Sequence, residues 1–80
     1  MLSQLKTGHI MVGAKQSAKA VKENEVRMAF AAENADPMIT GPFIDLCAER
    51  GVMVERVPTM EELGAACGIE VGAAIAVLLK

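Results

Sequence analysis

The stretch that most limits what this chain can become lies near its end. Residues Ala73 to Leu79, AAIAVLL, are apolar at every position. A strand with one face in water alternates apolar and polar side chains, so an unbroken run requires cover on both faces. The run is also far too short to cross a bilayer as a helix. It is therefore read as a central strand, which demands packing layers above and below.

The rest of the chain supplies those layers. His9–Val12, Val26–Ala32 and Val52–Val57 read as further strands, and helical patterns alternate with them. After the first strand, Ala14, Ala18 and Val21 recur at helical spacing and predict the inner face of a helix fading near Asn24. The segment ENADP, residues 33–37, is turn chemistry, with Asp36 as a turn residue before Pro37. Gly41 and Pro42 then interrupt a helical pattern. We expect a loose turn over Met38–Gly41, then a helix from Pro42 to Arg50 with Phe43, Leu46 and Cys47 inward and Gly51 closing it. Pro58 ends the third strand, and Thr59 with Glu62 forms a capping box that opens a short helix through Cys67, with Leu63 and Cys67 inward and Gly68 as terminator. Ahead of all this, Leu2–Lys6 has the makings of one or two helical turns, with Ser3 as cap and Gly8 as stop. The expectation is an α/β fold, a three-layer α/β/α sandwich with a central mixed four-stranded sheet, in one domain over residues 1–80.

Composition narrows the function. Phe30 and Phe43 are the only aromatics, so the ring platforms on which many proteins stack unpaired bases are missing. The net charge of −2 argues against coating a polyanion by bulk electrostatics. Distribution matters more than the total. No acidic residue precedes Glu23, whereas Lys6, His9, Lys15, Lys19 and Lys22 do, which predicts an acidic body with one basic corner. Cys47 and Cys67 lack metal-ligand or C-x-x-C spacing and read as reduced, buried thiols of a cytoplasmic protein. MLSQLKTGH lacks the apolar core of a secretory signal, so a soluble protein with no membrane partner is expected.

The basic corner centres on a strand-to-helix turn at Gly13 and Ala14. A helix N-terminus carries unpaired N–H groups and a partial positive charge, and so receives anions. Lys15, Lys19 and Lys22 share one face of that helix. By themselves such lysines are most often a solvated surface; the bare helix end beside them favours anion binding. The turn lacks both G-x-x-x-x-G-K-[ST] and G-x-G-x-x-G. His9 has no partner at metal or nucleophile spacing, and Glu61 and Glu62 suit a helix first turn without any acid–base role. No catalytic constellation, metal site, cofactor or small-molecule substrate is expected. A second feature is the short loop Ile69, Glu70, Val71, Gly72. Its two branched side chains either tuck into the core or form a contact surface, and spacing leaves both open.

VGAKQSAK after the first strand, ENADP after the second and LGAACGIEVGAA before the last together resemble the L-seven-Ae ribosomal protein family, specifically its small bacterial YbxF-type members. The resemblance covers nearly the whole chain in order. It implies a non-enzymatic module that binds kink-turn RNA, a duplex bent at a bulge beside sheared G·A pairs, in a ribosomal or regulatory ribonucleoprotein. The implied RNA-binding residues are Gly13, Ala14, Lys15, Gln16, Lys19 and Lys22 of the first turn and helix, and Ile69, Glu70, Val71 and Gly72 of the loop. Lys15 and Gln16 stand where archaeal and eukaryotic relatives carry an Asn-Glu pair on the G·A bases. Lysine offers only donors there, which shifts weight from base edges toward phosphates. The basic residue often found at the position of Ala65 is also missing. The alternative reading is a protein-interaction or stress-regulatory module on the same fold, with Ile69 and Val71 against a protein groove.

Overall fold

The computed structural model describes residues 9–80. The short helix expected over Leu2–Lys6 lies outside them. In chain order the elements are β1 (Ile10–Val12), α1 (Ala14–Lys22), β2 (Val26–Ala32), α2 (Pro37–Glu49), β3 (Val54–Val57), α3 (Met60–Ala66) and β4 (Ile75–Leu79). The sheet order is β1-β4-β2-β3. β4 is antiparallel to both β1 and β2, while β2 and β3 are parallel, so the sheet is mixed as expected.

β4 has the central place that its composition requires. Ile75 and Val77 pack on one side with Val21, Phe43 and Cys47 of α1 and α2. Ala76 and Leu78 face the other side with Phe30, Val57 and the α3 residue Leu63. Helices thus cover both faces, in the three layers the apolar run demanded.

Three element starts differ from the sequence reading by two residues or more. β3 starts at Val54 and β4 at Ile75, each two residues later than expected, because apolar residues that begin a run need not yet be paired. The larger difference is α2, which begins at Pro37 and runs unbroken through Gly41 and Pro42. Pro37 takes the first-turn position that suits proline, and Asp36 is a true cap, its Oδ1 accepting from the Met38 N–H at 2.9 Å. The helical bond that Pro42 cannot make would go to the Met38 carbonyl. Both residues are exposed, which leaves the unpaired carbonyl on the solvent side of the helix and lowers the cost of an interior proline. Gly51, at φ +70°, closes the helix as expected.

Thr59 is the N-cap as expected: its hydroxyl accepts from the Glu62 N–H at 3.1 Å, which is the Thr59 half of the capping box. Leu63 is fully buried, but Cys67 is only half-buried, unlike Cys47. Burial pushes the Cys47 thiol up to about 11 and raises Cys67 as well, so both are held away from the reactive thiolate.

The inner face of α1 is rotated from the one expected. Val21 is buried as predicted, yet Ser17 and Ala20 are buried with it, and Ala14 and Ala18 only partly. The Ser17 hydroxyl is enclosed with no hydrogen-bond partner among the described residues, a desolvation cost with no return. Ser17→Ala removes that cost and improves helix propensity. It is expected to stabilise the protein by about 1 kcal/mol, read as a rise in Tm of about 4–8 °C. A lower Tm would show that the hydroxyl is paired in solution.

Candidate functional site

The strand registers bring the two segments singled out in the sequence to the same end of the sheet. Val12 pairs with Ala76, and Gly13 N–H donates to the Ile75 carbonyl at 3.0 Å. The start of α1 is thereby joined to the start of β4, directly after the Ile69–Gly72 loop. α1 lies on one face of the sheet and α3 on the other, so the helix end and the loop approach that end of the sheet from opposite sides.

Gly13 makes the corner possible. Its φ of +113° is a backbone conformation that L side chains rarely adopt. It is the N-cap of α1 without any side-chain cap, and the first turn carries no acidic residue. Its carbonyl accepts from Ser17 N–H at 3.0 Å, while the earlier donors of the turn have no side-chain acceptor. That leaves a bare, partly positive helix end. Lys15, Gln16, Lys19 and Lys22 are all exposed.

The lysines do not act as one comb. Lys15 and Lys22 border a groove of about 500 Å³ between α1 and α2, floored by Ala14, Ala18, Phe43 and Leu46. Gln16 and Lys19 border a smaller depression with Met11, Glu23 and Glu25. There a hydrogen bond and charge repulsion from Glu23 raise the Glu25 carboxyl above its ordinary value, while Lys19 pulls it down. Lys19 thus has acidic neighbours that compete with any incoming phosphate. Lys22 is at the far end of the helix from Gly13, where its carbonyl accepts from the Arg50 guanidinium at 3.2 Å.

The loop divides its two aliphatics. Ile69 is half-buried against the Phe30 and Leu63 cluster, close to the reading in which it tucks inward. Val71 is 71% exposed and is available for contact, with Glu70 and Gly72 exposed on either side. The loop backbone is held to α3 at several points. Ile69 N–H donates to the Gly64 carbonyl at 3.1 Å and Ala73 N–H to the Met60 carbonyl at 3.0 Å. Gly64 comes so close to the Val71 carbonyl that no Cβ fits between them. Ala65 is exposed.

Several participants had no sequence signal strong enough to find them. Gly64 read as an ordinary helical residue, Asn34 as part of a turn, and Met38 and Ile39 as a loose turn; the last two are exposed at the α1–α2 groove. The ENADP segment and the capping box each marked their local structure, but nothing in either announces that they touch. Among the described residues no three of His, Cys, Asp and Glu come together in a way that holds a metal. No helix among them is long and apolar enough to cross a membrane.

Residues 2–80 match the model of the Ribosomal protein L7Ae/L30e/S12e/Gadd45 family. An RNA-binding protein of Bacillus pumilus is 45% identical over 71 residues, covering 88% of this chain and 87% of its own. The RNA-binding protein YbxF of Geobacillus stearothermophilus is 40% identical over 76 residues, covering 95% and 93%. Among solved structures, the Giardia lamblia 15.5kD RNA binding protein superposes with a TM-score of 0.92 at 27% identity, covering 99% of this chain and 70% of that one. With a family model matched along nearly its whole length and relatives of 40–45% identity, this chain belongs to the Ribosomal protein L7Ae/L30e/S12e/Gadd45 family.

Proposed function

We propose that this protein is a single-domain, non-enzymatic RNA-binding module, acting in the cytoplasm within a ribosomal or regulatory ribonucleoprotein, and that its target is a kink-turn or similarly bent RNA. The observation that carries this reading is the pairing, at one end of the sheet, of an uncapped basic helix start with an exposed apolar loop. Proteins similar over most of their length are described as RNA-binding proteins. A sharp bend opens a groove to the start of α1, where Lys15, Gln16 and Lys19 meet phosphates and base edges, and Lys22 adds charge farther along. Unstacked bases at the bulge rest on Val71 and on the outer part of Ile69, which does without aromatic rings.

The direct test is a gel shift comparing a kink-turn RNA with the same duplex lacking its G·A pairs. Clear preference for the first is expected. Lys19→Ala is expected to weaken binding to all such RNAs and to flatten the log–log salt dependence by about one unit, the share of one phosphate contact. Unchanged affinity and slope would remove Lys19 from the interface.

The second reading, a protein-interaction module on this fold, is favoured by Met38 and Ile39, which lie exposed at the α1–α2 groove. Failure to distinguish the two RNAs would support it.

A further inference from the structure

Asn34 is an exposed residue of the β2–α2 turn, and it is tied to the loop through a single intermediary, Met60. Its Oδ1 accepts from the Met60 N–H at 2.8 Å, across 26 positions of sequence. Only the amide oxygen can accept an N–H, so this bond fixes the orientation of the side chain. Met60 is the first residue of α3, and its N–H is one of the donors that a helix leaves without an internal partner. Within the same first turn Thr59 takes the Glu62 N–H and leaves that of Met60 to Asn34.

The other end of the same residue holds the loop. The Met60 carbonyl accepts from Ala73 N–H at 3.0 Å, and a Cβ on Gly72 would come 3.0 Å from the Met60 Cβ. Met60 is thus gripped at its N–H by the β2–α2 turn and grips, at its carbonyl, the residue that follows Gly72. The turn itself is anchored to the sheet, since Glu33 N–H donates to Val57 at 2.7 Å and Ala32 N–H to Ala74 at 2.9 Å. This chain of contacts refers the position of Val71 to the sheet.

We propose that Asn34 is a positioning residue for the Ile69–Gly72 loop, acting through Met60 to set where Val71 meets the RNA. This rests on the RNA-binding reading. An acceptor is needed at this site, and an amide provides one without adding a carboxylate beside a surface that receives phosphates. α3 has only seven residues, too few to hold its own position without tertiary contacts. Loss of the bond therefore loosens the start of α3 and with it the loop, while the core beneath stays filled by Leu63.

The test compares wild type, Asn34→Ala and Asn34→Asp, the last keeping an acceptor oxygen. Two readouts are taken without RNA, amide exchange at Ala73 and the methyl resonances of Val71. A third is the ratio of affinities for a kink-turn and for a plain duplex, at a salt concentration that screens the added carboxylate of Asn34→Asp. Asn34→Ala is expected to speed Ala73 exchange and to lower the ratio, each by about fivefold to tenfold, the scale of one hydrogen bond. The Val71 resonances should shift, and Asn34→Asp should restore all three. Unchanged exchange and resonances in a folded Asn34→Ala protein would overturn the positioning role. A displaced loop with an unchanged ratio would overturn its bearing on recognition. If wild type itself shows no preference for the kink-turn, the RNA reading fails and this use of Asn34 fails with it; the exchange data would then still report whether Asn34 holds the loop.

Discussion

Phe30→Ala is expected to cost about 3–5 kcal/mol and to lower Tm by about 15–30 °C. Phe30 is completely buried at the centre of the α3-side core. Its surroundings make the loss hard to absorb. Ala32, Ala35, Ala66, Ala73 and Ala76 belong to the same cluster, and short side chains cannot reach into the space a ring leaves. Truncation there creates a cavity that stays open, and the cavity adds to the lost transfer energy. A chain of 80 residues has a total stability of about 4–12 kcal/mol, so the variant is expected to be largely unfolded or close to it at 37 °C. Urea denaturation with an unchanged slope and a much lower midpoint would bear this out. A loss under 1 kcal/mol would mean that the alanine-rich core collapses around the site.

Gly64→Ala is expected to damage stability and RNA binding together. The added Cβ would lie inside the contact distance of the Val71 carbonyl oxygen, and 3.1 and 3.2 Å from the Val71 carbonyl carbon and the Gly72 Cα. All three are backbone atoms, so no side chain can rotate out of the way. Either α3 lifts from the sheet, uncovering the completely buried Leu63, or the loop is pushed outward. Overpacking of this kind costs about 1–3 kcal/mol, and the tightness here places the expectation near the upper end. Because the displaced atoms belong to the loop that carries Val71, the proposed function predicts that affinity for a kink-turn falls by about tenfold or more, on the scale of 1.4 kcal/mol per decade. Thermal melting and the paired gel shift measure the two effects separately. An unaltered Tm would show that α3 and the loop part at no cost, and would remove Gly64 as the determinant of loop position.

These two residues mark different degrees of legibility. Phe30 sits in a stretch that already read as a strand, and β4 declared its central place, because an apolar residue at every position has only one physical solution in water. The capping box before α3 was equally plain, since an N-cap and its partner lie within one turn of chain. α2 was misjudged at its start. Pro42 looked like a barrier, and its place with Met38 on the exposed side of the helix is what makes it tolerable there. The inner face of α1 was likewise shifted toward Ser17, since hydrophobic spacing prefers alanine and valine to a serine whose hydroxyl finds no partner.

At the site, the turn and helix after β1 were visible as a basic stretch without acids, whereas the division between Lys15 with Lys22 and Gln16 with Lys19 was not. That division depends on where α2 lies. Ile69 and Val71 are two residues apart on a loop, with nearly the same chemistry, and no periodic pattern assigns one inward and the other outward. Packing against the core cluster on the α3 side of the sheet decides for Ile69.

What the amino-acid sequence determined by itself was local or compositional: the covered strand, the helix caps, the basic start of α1 and the family to which such a combination belongs. Each depends on residues within a turn or two of one another, or on a side chain's demand to leave water. The tertiary structure alone decided which end of the sheet carries both the helix start and the loop, how closely Gly64 approaches Val71, and that Asn34 reaches Met60. Two of these join segments far apart in the chain and the third closes the short stretch from Gly64 to Val71, and their geometry exists only once the strands have paired and the layers have closed on them.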